Sequence, residues 1–166
     1  MKYRYTWIVA ACLAALCGAS AADDIGDENA FAAYDAEVLG KRVHVRAGPS
    51  KNFRHMKYVN TGDTVHVVGA RRGWAQIQMP VDCTVYIFKD LVDVNGRTGT
   101  VNGDRVNVRA RARAKADVVG QVSKGTRVTI LHVKGNWLGV RPPAGITAWI
   151  AARFIDPPPE GSDVEK

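Results

Sequence analysis

The chain repeats itself. At an offset of 63 residues, "VLGKRVHVRA" (38–47) matches "VNGDRVNVRA" (101–110) at seven of ten positions, and the register then holds without a gap. Val59 falls on Val122, Gly62 on Gly125, Val65 on Val128, Trp74 on Trp137, Pro80 on Pro143, Thr84 on Thr147 and Ile87 on Ile150. Over residues 38–92 this makes 14 identities in 55 positions. Two copies are too few for a solenoid, whose units need stacked neighbours to bury their faces. Each copy is therefore expected to be a small domain that folds alone, feasible but marginal at this length.

The apolar pattern inside each copy has period two, the signature of half-buried strands. "RVHVR" and "RVNVR" alternate, as do "TVHVV" and "RVTIL", "WAQIQ" and "WLGVR", "TVYIF" and "TAWIA". Turn residues separate these runs, for example "AGPSKN" and "NTGD" in the first copy and "SKGT" and "PPAG" in the second. Short strands with glycine-rich turns predict an all-β fold of two tandem small antiparallel barrels, since closure removes exposed edges. The expected domains are 38–93 and 100–156, joined by a short polar connector at 94–99.

The ends differ from the body. Lys2 and Arg4, the apolar run "WIVAACLAALCGA" and Ala19-Ser20-Ala21 predict a secretory signal peptide over 1–21. A lipoprotein anchor at Cys12 ranks second, because the apolar stretch before it is short. Without that segment Cys83 is the sole cysteine. It is expected to be a half-buried strand residue, ahead of a disulfide-linked dimer or a reactive thiol. Residues 22–37 form an acidic segment with six Asp and Glu and no Lys or Arg, and 157–166 a Pro-rich acidic tail. Between them, residues 38–155 hold 20 Lys and Arg against 6 Asp and Glu, which favours an anionic partner.

"RVNVRA…VVGQVSKGTRVTILHVKGNWLGVRPPAGITAWIAARFI" resembles the bacterial SH3-like domain: an opening "NVR", then "KGT.V", a Trp-led strand and a closing "AW(V/I)". The second copy departs from the family's Gly-Pro-Ser turn, with Arg111-Ala112-Arg113 there. The first keeps that turn as Gly48-Pro49-Ser50 but has Tyr86 where the late Trp is expected. The resemblance implies non-catalytic modules of exported proteins, often appended to cell-wall enzymes, that bind peptidoglycan or its peptides. It names no ligand for this chain, and it implies no cofactor.

Enzyme chemistry finds little support in the residues. His44 and His66 lie between valines on alternating strands and face away from the apolar side; with His55 and His132 they form no metal-ligand spacing with Cys or carboxylates. A nucleophilic cysteine normally opens a helix, which lowers its pKa, whereas "CTVYIF" is a strand pattern. No catalytic or metal-binding residues are expected. The ligand-binding candidates are Arg109, Arg111, Arg113 and Lys115 in the second copy, Arg46, Lys51 and Arg54 in the first, and Trp74 and Trp137 as a groove. The rings of Trp74 and Trp137 also suit closure of a small core, and that reading is favoured over the groove. Proline-helix binding is disfavoured, because the loop that is acidic in eukaryotic SH3 domains is basic here. Nucleic acid ranks below a wall polymer, since aromatic residues are only 8% of the chain and stacking platforms need several on one face. The expected partner is peptidoglycan or another anionic envelope polymer, met in the periplasm or outside the cell. The alternative is an envelope protein gripped by the Trp groove.

Overall fold

The computed structural model describes residues 31–159. The expected signal peptide, most of the acidic segment and the last residues of the tail lie outside the described residues. The fold is all-β, with strands β1 (Tyr34–Val38), β2 (Val43–Arg46), β3 (His55–Val59), β4 (Thr64–Arg71), β5 (Trp74–Gln78), β6 (Val85–Phe88), β7 (Val92–Asn95), β8 (Thr98–Val101), β9 (Val106–Arg109), β10 (Val118–Val122), β11 (Arg127–Lys134), β12 (Trp137–Val140), β13 (Thr147–Ala151) and β14 (Ile155–Asp156). The only helical pieces among the described residues are single 3-10 turns at Lys89–Leu91 and Ala152–Phe154. The period-two pattern is realised directly: Val43 and Val45 of β2, and Val106 and Val108 of β9, point inward while their neighbours stay half exposed.

These strands form two seven-stranded antiparallel sheets, ordered β14-β1-β4-β5-β13-β2-β3 and β10-β9-β6-β12-β11-β8-β7. Neither sheet is one copy of the repeat. The closing strands β6 and β7 of the first copy complete the sheet of the second, and β13 and β14 of the second complete the sheet of the first. The exchange is reciprocal in register. Ala75 faces Ile150 in one sheet, and Leu138 faces Ile87 in the other. Trp149 faces Arg46, and Tyr86 faces Arg109. Val38 faces Ile155, and Val92 faces Val101. Each pair is its counterpart displaced by 63. The sheet of β6–β12 is thus continuous in sequence and sits inside a second sheet whose two arms, β1–β5 and β13–β14, flank it along the chain.

Residues 94–99, expected as a polar connector between separate domains, are instead a hairpin. Asn95 pairs with Thr98, and the Thr98 hydroxyl donates to the Asn95 carbonyl at 2.9 Å. Gly96 takes φ 60°, as the first central residue of a type II′ turn requires. Closing so short a loop costs little entropy, so β7 finds its edge partner in β8, three residues on, rather than in β1 of its own copy. The expectation that each copy folds around a private core does not match this pairing. Apolar residues of both sheets make one continuous core, in which Val45, Ile77 and Ile150 on one side and Ile87, Val108 and Leu138 on the other are sealed from solvent. Among the described residues no polar or charged residue is buried with them. The halves also meet at their loops, where the Arg54 backbone N–H donates to Asp117 Oδ2 at 2.9 Å. Residues 54 and 117 are equivalent under the repeat, so the axis relating the halves passes beside this bond.

Candidate functional site

The arginine that ends "RVHVRA" and "RVNVRA" is committed to the fold. Arg46 Nη1 donates to the carbonyls of Lys51 and Phe53, both at 3.0 Å, and its Nη2 lies 2.8 Å from His44 Nδ1. Arg109 Nη1 donates to the Ala116 carbonyl at 2.8 Å, the same bond 63 residues later. Both guanidiniums tie down the loop that follows their strand, which explains why the motif carries Arg in each copy. Lys115 is exposed and stands outside the cleft that Arg111 and Arg113 line, so the alternating basic run 109–115 divides by position into one structural, two cleft-lining and one solvated cation.

Trp74 is half-buried at the start of β5 and lines a groove of about 550 Å³ with Arg46 and Lys51. The structure adds residues that the sequence reading did not single out: Lys41, Arg42, Arg153 and Phe154. Arg42 lies over the Tyr58 ring and Arg153 over the Phe154 ring, each 4.7 Å from the centroid, a cation–π arrangement that holds a charge against an apolar surface. Among the described residues no carboxylate lines the groove. Arg153, Phe154 and Ala151 arrive on the exchanged C-terminal segment, so the groove exists only because the closing strands are traded.

Trp137, the repeat equivalent of Trp74, lines no comparable groove. The register places Ala151 opposite Trp74 but Phe88 opposite Trp137. The Phe88 ring packs edge-on against Trp137, centroids 5.4 Å apart at 76°, whereas a methyl group leaves Trp74 open. Charge diverges too: Lys41, Lys51 and Arg153 correspond to Asp104, Ala114 and Asp90. Both tryptophans are half-buried, but the pair expected to act alike splits into one ring lining a basic groove and one packed against Phe88.

Arg54, Arg111 and Arg113 come together elsewhere, where the two loops meet. With Lys57 and Lys134 they line a cleft of about 710 Å³. Gly48 of the first copy lies under the Phe53 ring, where an added Cβ would be 2.6 Å from the ring. The second copy has Ala116 in place of Phe53, and this frees position 111 to carry a long side chain. The Cys83 thiol on the cleft wall is 5% exposed, buried rather than half-buried as expected. Burial pushes its pKa up to about 11, with Asp82 adding to the shift and Lys57 opposing it. His55, between cleft and groove, stacks near His44 (4.7 Å) and Tyr58 (4.2 Å). Its pKa is lowered by burial first and then by His44, Arg54 and Arg46. Of the other candidate histidines, His66 pairs with Asp35 at 2.7 Å on the surface and His132 covers Gly139.

Residues 104–156 match the family model described as bacterial SH3 domain. That segment is the second copy in sequence, and it contributes β9–β12 to one sheet and β13–β14 to the other. The chain is also similar to a Bacillus subtilis (strain 168) protein named "Putative N-acetylmuramoyl-L-alanine amidase YrvJ", 25% identical over 150 residues. The match takes in 81% of this chain but 29% of that protein, so the chain spans less than a third of its relative's length. No solved structure gives a significant match. Among the described residues no helix is long and apolar enough to cross a membrane.

Proposed function

We propose that this chain is a non-catalytic, exported binding module of two strand-exchanged SH3-like barrels, and that its groove at Trp74 recognises peptidoglycan or its peptides. One observation carries the reading: an open indole sits among Lys41, Arg42, Lys51 and Arg153 with no carboxylate lining the same groove. The family match on the second copy and the wall-directed name of the similar Bacillus protein point the same way. Wall peptides join small apolar side chains to free carboxylates. An aromatic floor takes the first by contact, and the surrounding cations take the second by charge-assisted hydrogen bonds. The described thiol, Cys83, lies on the wall of the other cleft and is held protonated at neutral pH, which argues against thiol chemistry there.

Sedimentation with purified wall sacculi over a salt series tests the reading. Trp74→Ala should abolish co-sedimentation. Ala151→Phe should do the same without unfolding the protein, because Phe88 already occupies the equivalent place in the other half. Binding unchanged in both variants would refute the site. Failure of the parent protein to sediment at any salt would refute the ligand and favour an envelope protein as the partner of the groove.

A further inference from the structure

The cleft where the two loops meet is a second site, and the repeat supplies its internal control. Arg54, Lys57, Arg111, Arg113 and Lys134 line it together with one acid, Asp82, and Asp117 lies beside the three arginines at the axis. Lys57 is held in an ion pair with Asp82. The other four side chains make no ion pair or hydrogen bond among the described residues. Displaced by 63, the same positions read Asp117, Gly120, Gly48, Ser50 and Arg71. The pseudosymmetric location thus holds one cation and one acid. It is also filled, since Ile146 takes the place of Cys83 and lies against Gly120, where an added Cβ would be 2.7 Å from its side chain. Divergence between the copies has concentrated charge on one side of the axis and left space there.

We propose that this cleft binds a linear polymer of linked phosphates, reading backbone charge rather than sequence. Three of its four unpaired cations are arginines, whose planar forks pair phosphate oxygens bidentately. Four such cations around one cleft match an anion that carries a charge at every unit. Peptide carboxylates, spaced along a backbone, meet fewer of these cations together. A base-stacking nucleic-acid site is disfavoured, because the aromatic rings on the cleft are His55 and Tyr86, and both already pack against neighbouring rings. The inference is independent of the Trp74 groove.

The test uses the full chain and short-chain inorganic polyphosphate, with binding followed by calorimetry across a salt series. Arg54→Gln/Arg111→Gln/Arg113→Gln removes three charges from the cleft. Lys41→Gln/Lys51→Gln/Arg153→Gln removes three from the Trp74 groove and controls for net charge. The cleft variant should weaken binding at least about tenfold and flatten the dependence of log affinity on log salt by about 2, the loss of three counterion-releasing contacts. The groove variant keeps every cleft contact and should lose several-fold less affinity than the cleft variant, with the smaller change in salt slope. Equal losses in both variants would overturn the site in favour of net charge. Orthophosphate binding as tightly as the polymer would overturn the linear ligand. A thymidine oligonucleotide binding more tightly than polyphosphate of equal charge would overturn the backbone-only reading. Unchanged thermal melting in both variants separates any of these results from misfolding.

Discussion

Ile150 belongs to the second copy in sequence but to the first copy's sheet in space, and that makes it a direct probe of the exchange. It is sealed from solvent on β13, opposite Ala75 of β5. Ile150→Ala removes three buried carbons from a site whose cross-strand neighbour is too small to fill the space. Such truncations cost about 2–5 kcal/mol, and the poor capacity to collapse puts this one at about 3 or more. Domains of this size have about 5–15 kcal/mol in total, so the variant stays folded. The loss should fall on one sheet first. Native-state hydrogen exchange should show amides of Trp74–Gln78 speeding by roughly 150-fold for a 3 kcal/mol loss, with Trp137–Val140 less affected. Ile87→Ala should give the mirror result, unprotecting Trp137–Val140. If Ile150→Ala instead unprotects Trp137–Val140 and spares Trp74–Gln78, each copy closes on its own last strand and the exchanged topology is wrong.

Three further outcomes follow from side-chain environments. Replacing Arg46 or Arg109 by Met removes charged donors from loop carbonyls and should cost about 1–2 kcal/mol in urea unfolding, while Arg111→Gln should stay within about 0.5 kcal/mol; equal effects would refute the division into structural and cleft arginines. With its pKa near 11, the Cys83 thiol should resist Ellman's reagent at pH 8 in the native protein and react fully on unfolding. Because that pKa is raised, the associated stability is present below the unfolded value and lost as pH rises from about 9 towards 11, a loss absent in Cys83→Ala. His55 has the opposite sign in pH. Its folded pKa is lowered, so unfolded chains bind more protons, and stability present above pH about 6.5 should fall as pH drops below it. His55→Phe should remove that fall, and an unchanged pH profile would contradict the assignment.

Strand positions, turns and the duplication were legible because period-two alternation and a gapless offset are local properties. The exchange was not, for a physical reason visible at Ile87 and Ile150. Equivalent positions carry side chains of the same kind, so either closing strand suits either sheet, and the apolar pattern alone cannot say which pairing is used. The decisive signal was Gly96-Arg97, a two-residue hairpin loop with glycine first that ties the end of one copy to the start of the next. The candidate site was legible in part. Trp74, Arg46 and Lys51 do converge, but Arg46 is consumed by its loop. Lys41, Arg153 and Phe154 escaped notice because two of them come from the other copy. Ranking the copies against each other position by position would have exposed them, through Ala151 against Phe88 and Lys41 against Asp104. The same comparison explains why Arg111 and Arg113 separate from Arg109 and Lys115, which the run of alternating charge had joined.

The nested order of the sheets decides how tension would travel through the molecule. β1 and β14 lie side by side at one sheet edge, Glu37 opposite Asp156, and the Tyr34 hydroxyl donates to the Pro157 carbonyl at 3.1 Å. Whatever precedes Tyr34 and whatever follows Pro157 therefore depart from the same end of one short ladder. Force applied between them peels that ladder open one rung at a time, the weak direction for a β-pair. The inner sheet of β6–β12 is joined covalently to the outer one at the crossings after Gln78 and Val140, so tension along the chain reaches it after β5 and β13 have parted. A pull on the chain would open the Trp74 groove early, through the segment that brings Arg153 and Phe154 to it, and leave the inner sheet intact.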